Sequence, residues 1–396
     1  MDRIKIVNGN VITPYRILRN AVVIVENGSI AYVGPPPEER IEGAEIDAGG
    51  NYVSPGFIDI HTHGGGGYDF MDGTAEAYLG AAEKHAAHGT TSMVPTTLTS
   101  TNEELKNTFK VFKEAKRMNK TGAQLLGLHL EGPYFSMEQR GAQDPRYIRN
   151  PVPEEYEEIL SWTDDIIRWS AAPELEGSSE FARRLKERGI LASIGHSDAV
   201  FEQVEEAFEN GFTHITHLYS GMSGVRRING FRYAGVIESA FLIDDMTVEI
   251  IADGAHLPAS LLKLIYKIKG PSRTALVTDS MRAAGMGEGE SILGSLKDGQ
   301  KVIVEDGVAK MPDRKAFAGS VATADRLVRT VVKLAGVPLA DAVRMMTLTP
   351  AKIIGFDKSK GSLAAGKDAD IVIFDDNIKI KATMLKGRTV YRSEGL

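Results

Sequence analysis

The chain of 396 residues contains no cysteine, which excludes disulfide bonds and thiolate-bound metal. A metal site in this protein must therefore use histidine and carboxylate ligands. No apolar run is long enough to span a bilayer, and the first residues, MDRIKIVNGN, lack the apolar core of a signal peptide. The net charge of −7 disfavours non-specific binding to nucleic acid. We therefore expect a cytoplasmic protein with neither a nucleic-acid nor a membrane partner.

Both ends of the chain carry short apolar runs separated by turn residues, a pattern typical of antiparallel strands. Near the N-terminus, the pairs Asn8-Gly9 and Asn27-Gly28 predict hairpin turns. Each end could form a separate extension of the middle of the chain. However, neither end has enough strands to bury a core alone. We therefore predict one small β-sandwich domain, built from residues 1–56 and 358–396 together.

Residues 57–357 alternate strand-like runs with helical segments, which predicts an α/β fold with a parallel sheet. The eight strand candidates are residues 57–63, 91–97, 125–131, 166–174, 190–196, 213–218, 247–253 and 274–279. Eight such units indicate a (β/α)8 TIM-like barrel as the catalytic domain. The chain is long enough for this barrel and a smaller domain. After the eighth strand, residues 287–318 predict an inserted β-hairpin region, and two helices follow it.

Histidines and a carboxylate occur at the ends of several predicted strands, where barrel enzymes keep their chemistry. His61 and His63 end the first strand, and the alternation of strand side chains places both on one face. Glu131 ends the third strand, His196 ends the fifth and His217 lies in the sixth. Two histidines and a carboxylate are typical of a catalytic zinc-type site. Each residue alone is explained as well by a structural role, but together they predict one or two divalent ions with Glu131 as a bridge.

Two further residues are candidates for proton transfer and for binding a substrate carbonyl. Asp279, in VTDS, can take a proton from an activated water and return it to a leaving group, or it can cap the next helix. His256, in ADGAH, can donate a hydrogen bond to a carbonyl oxygen, or it can be a loop histidine that faces solvent. We interpret His129 and His214 as core histidines or neighbours of the ligands.

Motifs along nearly the whole chain resemble those of the N-acetylglucosamine-6-phosphate deacetylase family in the amidohydrolase superfamily. They keep the family's order: PGFIDIHTHGGGG, LLGLHLEGPY, RGAQDPRYI, IGHSDA, THLYSGMS, AGVIE, ADGAH, VTDSMRAAG, AGS at 318–320 and GSLAAGKDADIVIFD. HLEGPY with GHSDA, THLY and TDSM is a specific set, because metal-dependent hydrolases in general share only HxH and the late aspartate. The resemblance implies metal-dependent hydrolysis of N-acetyl-D-glucosamine 6-phosphate to D-glucosamine 6-phosphate and acetate, in amino sugar catabolism.

The resemblance also implies roles for individual residues. The implied metal ligands are Glu131, His196, His217 and, for a second ion, His61 and His63. Zinc is the first choice of metal, with iron, manganese and cobalt as alternatives. Asp279 matches the family's catalytic aspartate, and His256 matches its carbonyl-polarising histidine. The implied substrate contacts are Ala142, Gln143, Ser220, Gly221, Arg232, Asp253, His256, Phe317, Ala318 and Gly319.

Arg232 most resembles an arginine that the partner subunit supplies to the substrate phosphate in this family. We therefore expect a homodimer with an arginine contributed across the interface. The chain departs from the family's usual pattern on the sugar and phosphate side, with Ser220-Gly221 in place of Asn-Ala and a longer segment that adds Arg226 and Arg227. These departures leave open the preferred hexosamine epimer, glucosamine or galactosamine, and the identity of the phosphate-binding arginine.

Two other classes of function stay open at the level of sequence. Another amidohydrolase, acting on a cyclic amide or an isopeptide, would need neither a substrate phosphate nor the arginine cluster. A catalytically inactive member could serve as an assembly scaffold. An inactive scaffold would not need the complete set of metal ligands or Asp279, so the presence of these residues disfavours a scaffold function.

Overall fold

The computed structural model describes residues 3–38 and 42–394. Eight parallel strands form the barrel: Phe57–Thr62, Thr90–Thr97, Leu128–Glu131 (preceded by the short Gln124–Leu125), Ile166–Ala171, Leu191–Ile194, Phe212–Ile215, Thr247–Ile251 and Thr274–Val277. Each strand pairs with the next one along the chain. The eighth strand returns to the first, where the N–H of Asp279 donates to the carbonyl of His61 at 2.9 Å. The predicted (β/α)8 barrel is confirmed.

Helices alternate with these strands, as the sequence pattern predicts. The α-helices in the described residues are Ala75–Ala86, Asn102–Met118, Pro153–Trp162, Ser178–Glu187, Phe201–Asn210, Val236–Leu242, Ala259–Lys269, Ala324–Ala335, Leu339–Met346 and Leu348–Ile353, and a 3₁₀ turn spans Phe70–Asp72. The helix Asn102–Met118 shows why they form: Thr101 and Glu104 make a capping box, and one face buries Phe109 and Phe112. In the part of the chain that the structure describes, no helix combines the length and the apolar character needed to cross a membrane.

Strands from both ends of the chain form one mostly antiparallel sheet. They are Arg3–Ile12, Ile17–Glu26, Ser29–Gly34, Ala44–Asp47, Tyr52–Pro55, Ile371–Phe374, Ile380–Leu385 and Arg388–Arg392. The two ends meet where Tyr52–Pro55 pairs antiparallel with Ile371–Phe374, and apolar residues from both ends share one core. This arrangement fits the predicted small β-sandwich made from both termini. The domain boundaries near residues 56 and 357 stay predictions.

One of the two predicted N-terminal turns is wrong. Asn8-Gly9 lies inside the strand Arg3–Ile12, at a shift in register against the next strand. Gly9 is needed there because a Cβ atom would lie 2.5 Å from Cγ2 of Val53. The pair Asn27-Gly28 does form the predicted turn, with φ of 48° and 81°.

Three smaller sheets complete the fold. The predicted insertion is a four-stranded antiparallel sheet of Gly289–Leu293, Gln300–Glu305, Val308–Lys310 and Phe317–Ser320. A two-stranded hairpin joins Arg226–Ile228 to Phe231–Tyr233, and the short strands Gly64–Gly65 and Tyr68–Asp69 also pair. The hairpin at 226–233 is not predicted above. Its turn, Asn229-Gly230, carries the same sequence signal as Asn27-Gly28, with φ of 51° and 86°.

Candidate metal centre and active site

The predicted metal ligands lie at the carboxyl ends of the barrel strands. His61 and Glu131 are within their strands, whereas His196, His217 and Asp279 each lie two residues beyond the last strand residue. The prediction that the fifth, sixth and eighth strands extend to these three residues is therefore wrong. Each of the three has a left-handed backbone, with φ of 47°, 29° and 44° respectively, which departs from regular β-strand geometry.

Left-handed backbone at non-glycine residues costs about 1–3 kcal/mol each and is concentrated at functional sites. Hydrogen bonds hold it in place here. The N–H of Asp279 donates to the His61 carbonyl at 2.9 Å, and the Asp279 carbonyl accepts from the N–H of Ser320 at 2.8 Å. The N–H of His217 donates to Oε1 of Glu249 at 3.1 Å. These bonds fix the backbone of Asp279 and His217, and with it the positions of their Cβ atoms.

Glu131, His196 and His217 form the first group of potential ligands, which we call the first metal group. Oε1 of Glu131 lies 2.9 Å from Nε2 of His217 and 3.2 Å from Nε2 of His196. Nδ1 of His196 donates to the carbonyl of Gln139 at 2.9 Å, which leaves the Nε2 lone pair free to bind a cation. The side chain of Gln143 donates to Oε2 of Glu131 at 2.8 Å and fixes the second carboxylate oxygen.

His61, His63 and Asp279 form the second metal group. Oδ1 of Asp279 lies 3.3 Å from Nε2 of His61 and 3.2 Å from Nε2 of His63. Glu131 adjoins this group too, with Oε1 3.6 Å from Nε2 of His61 and Oε2 3.3 Å from Nε2 of His63. Its carboxylate therefore lies beside all four histidines, in the position of a bridge.

The charges of these buried groups favour a cation. Burial opposes a charged imidazole at His61, yet the carboxylates of Asp279, Glu249 and Glu131 raise its pKa well above the ordinary value. Burial opposes the charge on His63 as well, but hydrogen bonds to Asp279 and Glu131 raise its pKa to about 9. Imidazole nitrogens and carboxylate oxygens are also the donors that a divalent zinc-type ion takes without cysteine. The residues fit a divalent metal site.

Asp253 holds His256 in one orientation. Oδ2 of Asp253 lies 2.8 Å from Nδ1 of His256, and Oδ1 accepts the backbone N–H groups of Ala255 and His256 at 2.9 Å each. Burial raises the pKa of Asp253, but these bonds bring it below the ordinary value. Because a carboxylate only accepts, Nδ1 carries a proton. The bond to Asp253 therefore fixes the ring of His256 and leaves Nε2 as the ring nitrogen available to a substrate.

Above the metal groups lies a cavity of about 240 Å³. The predicted substrate contacts that line it are Ala142, Gln143, Ser220, Gly221, His256, Phe317 and Gly319. Asp253 and Ala318 are buried and are not among the lining residues, and Arg232 is exposed on the hairpin 226–233. Substrate binding by each of these residues stays a prediction.

Gly221 explains one departure from the family's pattern. Its φ is 56°, and a Cβ atom at this position would lie 2.8 Å from Nδ1 of His196. An alanine here would therefore crowd a potential metal ligand, so the local backbone requires glycine.

Two charged residues beneath the site, Arg168 and Glu249, are not predicted above. Both are fully buried and interact at 2.5 Å. The sequence contains a signal for this pair, because each residue is a charged residue inside an apolar strand, IIRWSA and TVEII. Buried charges are rare unless they are paired. His129 and His214 lie in the same core, where His129 contacts Ser170 at 2.7 Å.

Comparison with known proteins identifies the family. Residues 52–390 match the amidohydrolase family. The chain therefore belongs to the amidohydrolase family.

Within this family the chain is similar to deacetylases of acetylated hexosamine phosphates. An N-acetylglucosamine-6-phosphate deacetylase from Vibrio furnissii is 35% identical over 375 residues, which cover 94% of this chain and 91% of the relative. An N-acetylgalactosamine-6-phosphate deacetylase from Escherichia coli O157:H7 is 32% identical over 365 residues, covering 92% and 93%. The structure of a mutant N-acetyl-D-glucosamine-6-phosphate deacetylase from Mycobacterium smegmatis, in complex with N-acetyl-D-glucosamine 6-phosphate, has a TM-score of 0.90 and 30% identity, covering 98% of this chain and 100% of that one. The resemblance inferred from the motifs is confirmed.

Replacing Glu131 with Gln should empty the metal site, because the Glu131 carboxylate lies within 3.6 Å of Nε2 of all four histidines. We expect metal analysis of the purified E131Q variant to find little bound metal. Glu174→Gln is a matched control, since Glu174 accepts from Oγ of Ser197 at 2.7 Å and belongs to neither metal group. E174Q should keep its metal, and full occupancy in E131Q would contradict the assignment.

Proposed function

We propose that the protein hydrolyses the acetamide of N-acetyl-D-glucosamine 6-phosphate to D-glucosamine 6-phosphate and acetate. The observation that carries this proposal is the meeting of Asp279, His256 and the first metal group around one small cavity. The substrate follows from the similarity to the deacetylases of Vibrio furnissii and Mycobacterium smegmatis. A cytoplasmic location stays a prediction.

Glu131, His196 and His217 would hold one divalent ion, zinc by preference, and His61 and His63 with Asp279 would hold a second. Such an ion, when bound, would lower the pKa of a coordinated water molecule. Burial raises the pKa of Asp279, but His61 and His63 bring it below its ordinary value, so Asp279 is ionised and can accept a proton.

The proposed reaction then uses Asp279 twice. Asp279 takes a proton from the attacking water as the new C–O bond forms. His256 donates a hydrogen bond to the carbonyl oxygen, on which negative charge develops. As the C–N bond breaks, Asp279 passes its proton to the leaving amine. A helix-capping role for Asp279 has no support, because the next helix in the described residues begins only at Ala324.

The substrate phosphate needs a cation that the cavity does not supply. Among the described residues that line the cavity, none is lysine or arginine. Arg226 pairs with Asp198 of its own chain. Arg227 and Arg232 are exposed and lie opposite each other across the hairpin. We propose that Arg232 of one subunit reaches the phosphate in the cavity of the other subunit of a homodimer.

The epimer is tested by measuring acetate release. We expect zinc-loaded protein to turn over N-acetyl-D-glucosamine 6-phosphate with a higher kcat/KM than the galactosamine epimer. The second candidate is the galactosamine substrate, favoured by the Escherichia coli relative and by the altered Ser220-Gly221 in the cavity wall. The reverse order of kcat/KM would establish that candidate, and turnover of a cyclic amide alone would refute both.

Asp279→Asn keeps the shape of the side chain and removes its proton transfer. We expect kcat to fall by about 10²–10⁴-fold, the usual contribution of general acid–base catalysis. Asp325→Asn is the matched control, because Asp325 is also a buried carboxylate beside a histidine, at 3.1 Å from His88, and lies outside the cavity. Turnover, metal content and Tm are measured on the same preparations. Near wild-type turnover by folded, metal-loaded D279N would remove Asp279 from the mechanism.

Arg232→Ala should raise KM for the phosphorylated sugar far more than for its unphosphorylated analogue. An arginine guanidinium binds a phosphate through two parallel N–H groups, and alanine removes this interaction. Arg227→Ala, on the facing strand, is the matched control and should have a smaller effect. A selective effect of R227A instead would assign the phosphate to Arg227.

Mixed dimers test whether the arginine acts across the interface. A dimer of one R232A and one D279N subunit has one site with Asp279 from the first subunit and Arg232 from the second. Mixing the two impaired variants should therefore restore wild-type kcat/KM at that one site. No recovery in demonstrated mixed dimers would contradict the interface role.

A further inference from the structure

A carboxylate of the seventh barrel strand, Glu249, lies directly beneath the metal groups. Oε1 accepts from Nδ1 of His61 at 2.7 Å and from the backbone N–H of His217 at 3.1 Å. Oε2 accepts from Nη1 of Arg168 at 2.5 Å and lies 3.3 Å from Nε2 of His214. The side chain is fully buried, so it cannot touch a substrate.

We propose that Glu249 is a positioning residue that orients one ligand of each metal group through a single oxygen atom. This inference rests on the metal site proposed above. Glu249 would act on the metal site without binding the metal and without touching the substrate.

At His61 the effect of Glu249 is on the imidazole ring. A carboxylate only accepts hydrogen bonds, so the 2.7 Å contact places the ring proton on Nδ1. In the neutral ring that binds a metal, Nε2 then keeps its lone pair, and this atom lies 3.3 Å from both Nε2 of His63 and Oδ1 of Asp279. Glu249 therefore selects the tautomer that can bind a metal.

At His217 the effect is on the backbone. Nδ1 of His217 has no hydrogen-bond partner in the described part of the chain, unlike Nδ1 of His196, which the Gln139 carbonyl holds. No hydrogen bond to Nδ1 therefore fixes the orientation of the His217 ring. The backbone of His217 is left-handed, and its N–H donates to Glu249. This bond sets the position of the His217 Cβ atom.

Arg168 holds Glu249 in the orientation that this role requires. Besides Glu249, its guanidinium donates to the Ile60 carbonyl at 3.1 Å, to Oγ of Ser193 at 3.0 Å and to Oγ1 of Thr216 at 2.9 Å. These partners belong to, or directly follow, the first, fifth and sixth strands. Oε2 of Glu249 is therefore fixed toward Arg168, and Oε1 toward the ligands.

The test is the isosteric substitution Glu249→Gln. Because Arg168 has no lone pair, the amide oxygen will turn to Arg168 and the amide NH₂ group will face His61. The NH₂ group donates, so Nδ1 of His61 must become the acceptor and Nε2 must carry the proton, which blocks metal binding. We expect at least tenfold weaker zinc binding at the second metal group, in the range of about 10–100-fold for lost outer-shell partners. Binding at the first group should weaken less.

The readout is zinc affinity, measured by competition between metal-free protein and a chromophoric chelator. His214→Gln is the matched control, because His214 contacts Oε2 of Glu249 but no member of either metal group. Loss of affinity in E249Q with wild-type affinity in H214Q supports the inference. Wild-type affinities in E249Q, or an equal loss in H214Q, would overturn it by reducing Glu249 to a counterion of Arg168.

Nitrogen-15 NMR of the zinc-loaded wild-type protein gives an answer even if E249Q does not fold. The inference predicts a proton on Nδ1 of His61, and a proton-free Nδ1 would overturn it. Failure of the proposed metal site has a different signature, since wild-type protein would then bind no zinc in the chelator competition.

Discussion

The ion pair between Arg168 and Glu249 is the constraint on which the rest of the barrel depends. Removing two charges from water costs several kcal/mol per ion, and the cost is offset only if every donor and acceptor finds a partner. The partners lie on several strands, at Ile60, Ser193 and Thr216. A shift of any of these strands along its neighbours would leave a buried N–H group of the Arg168 guanidinium without its acceptor. The polar core therefore sets the strand alignment that brings the predicted metal ligands to one end of the barrel.

The sequence could predict the barrel and most of the site because the relevant signals are local. Apolar runs alternate with helical segments, and Glu131 stands at the end of a run followed by Gly132-Pro133. The parallel strands of a barrel have all their carboxyl ends at one rim, so polar side chains at those ends lie close to one another. His61 and His63 follow the same logic, and the alternation of strand side chains puts them on one face.

The remaining features are set by contacts between distant parts of the chain. Arg168 and Glu249 are 81 positions apart, so their pairing is visible only in the folded barrel. The strands end before His196 and His217 because the backbone turns left-handed, and neither residue type signals that conformation. Asn8-Gly9 and Asn27-Gly28 look alike in sequence, yet Val53 packs against Gly9 and makes the first pair part of a strand.

The predicted metal ligands are held by bonds that exist within the protein itself. Glu131 is fixed by Gln143, His196 by the Gln139 carbonyl, and His61 by Glu249. The ordering of the site is therefore completed when the chain folds, and ions can be exchanged without unfolding. Affinity for nitrogen and oxygen donors follows the general order of the divalent metals, with copper above zinc and zinc above manganese. Which ion occupies such a rigid site in a living cell then depends on the free concentration of each metal, so growth conditions become a determinant of the enzyme's composition.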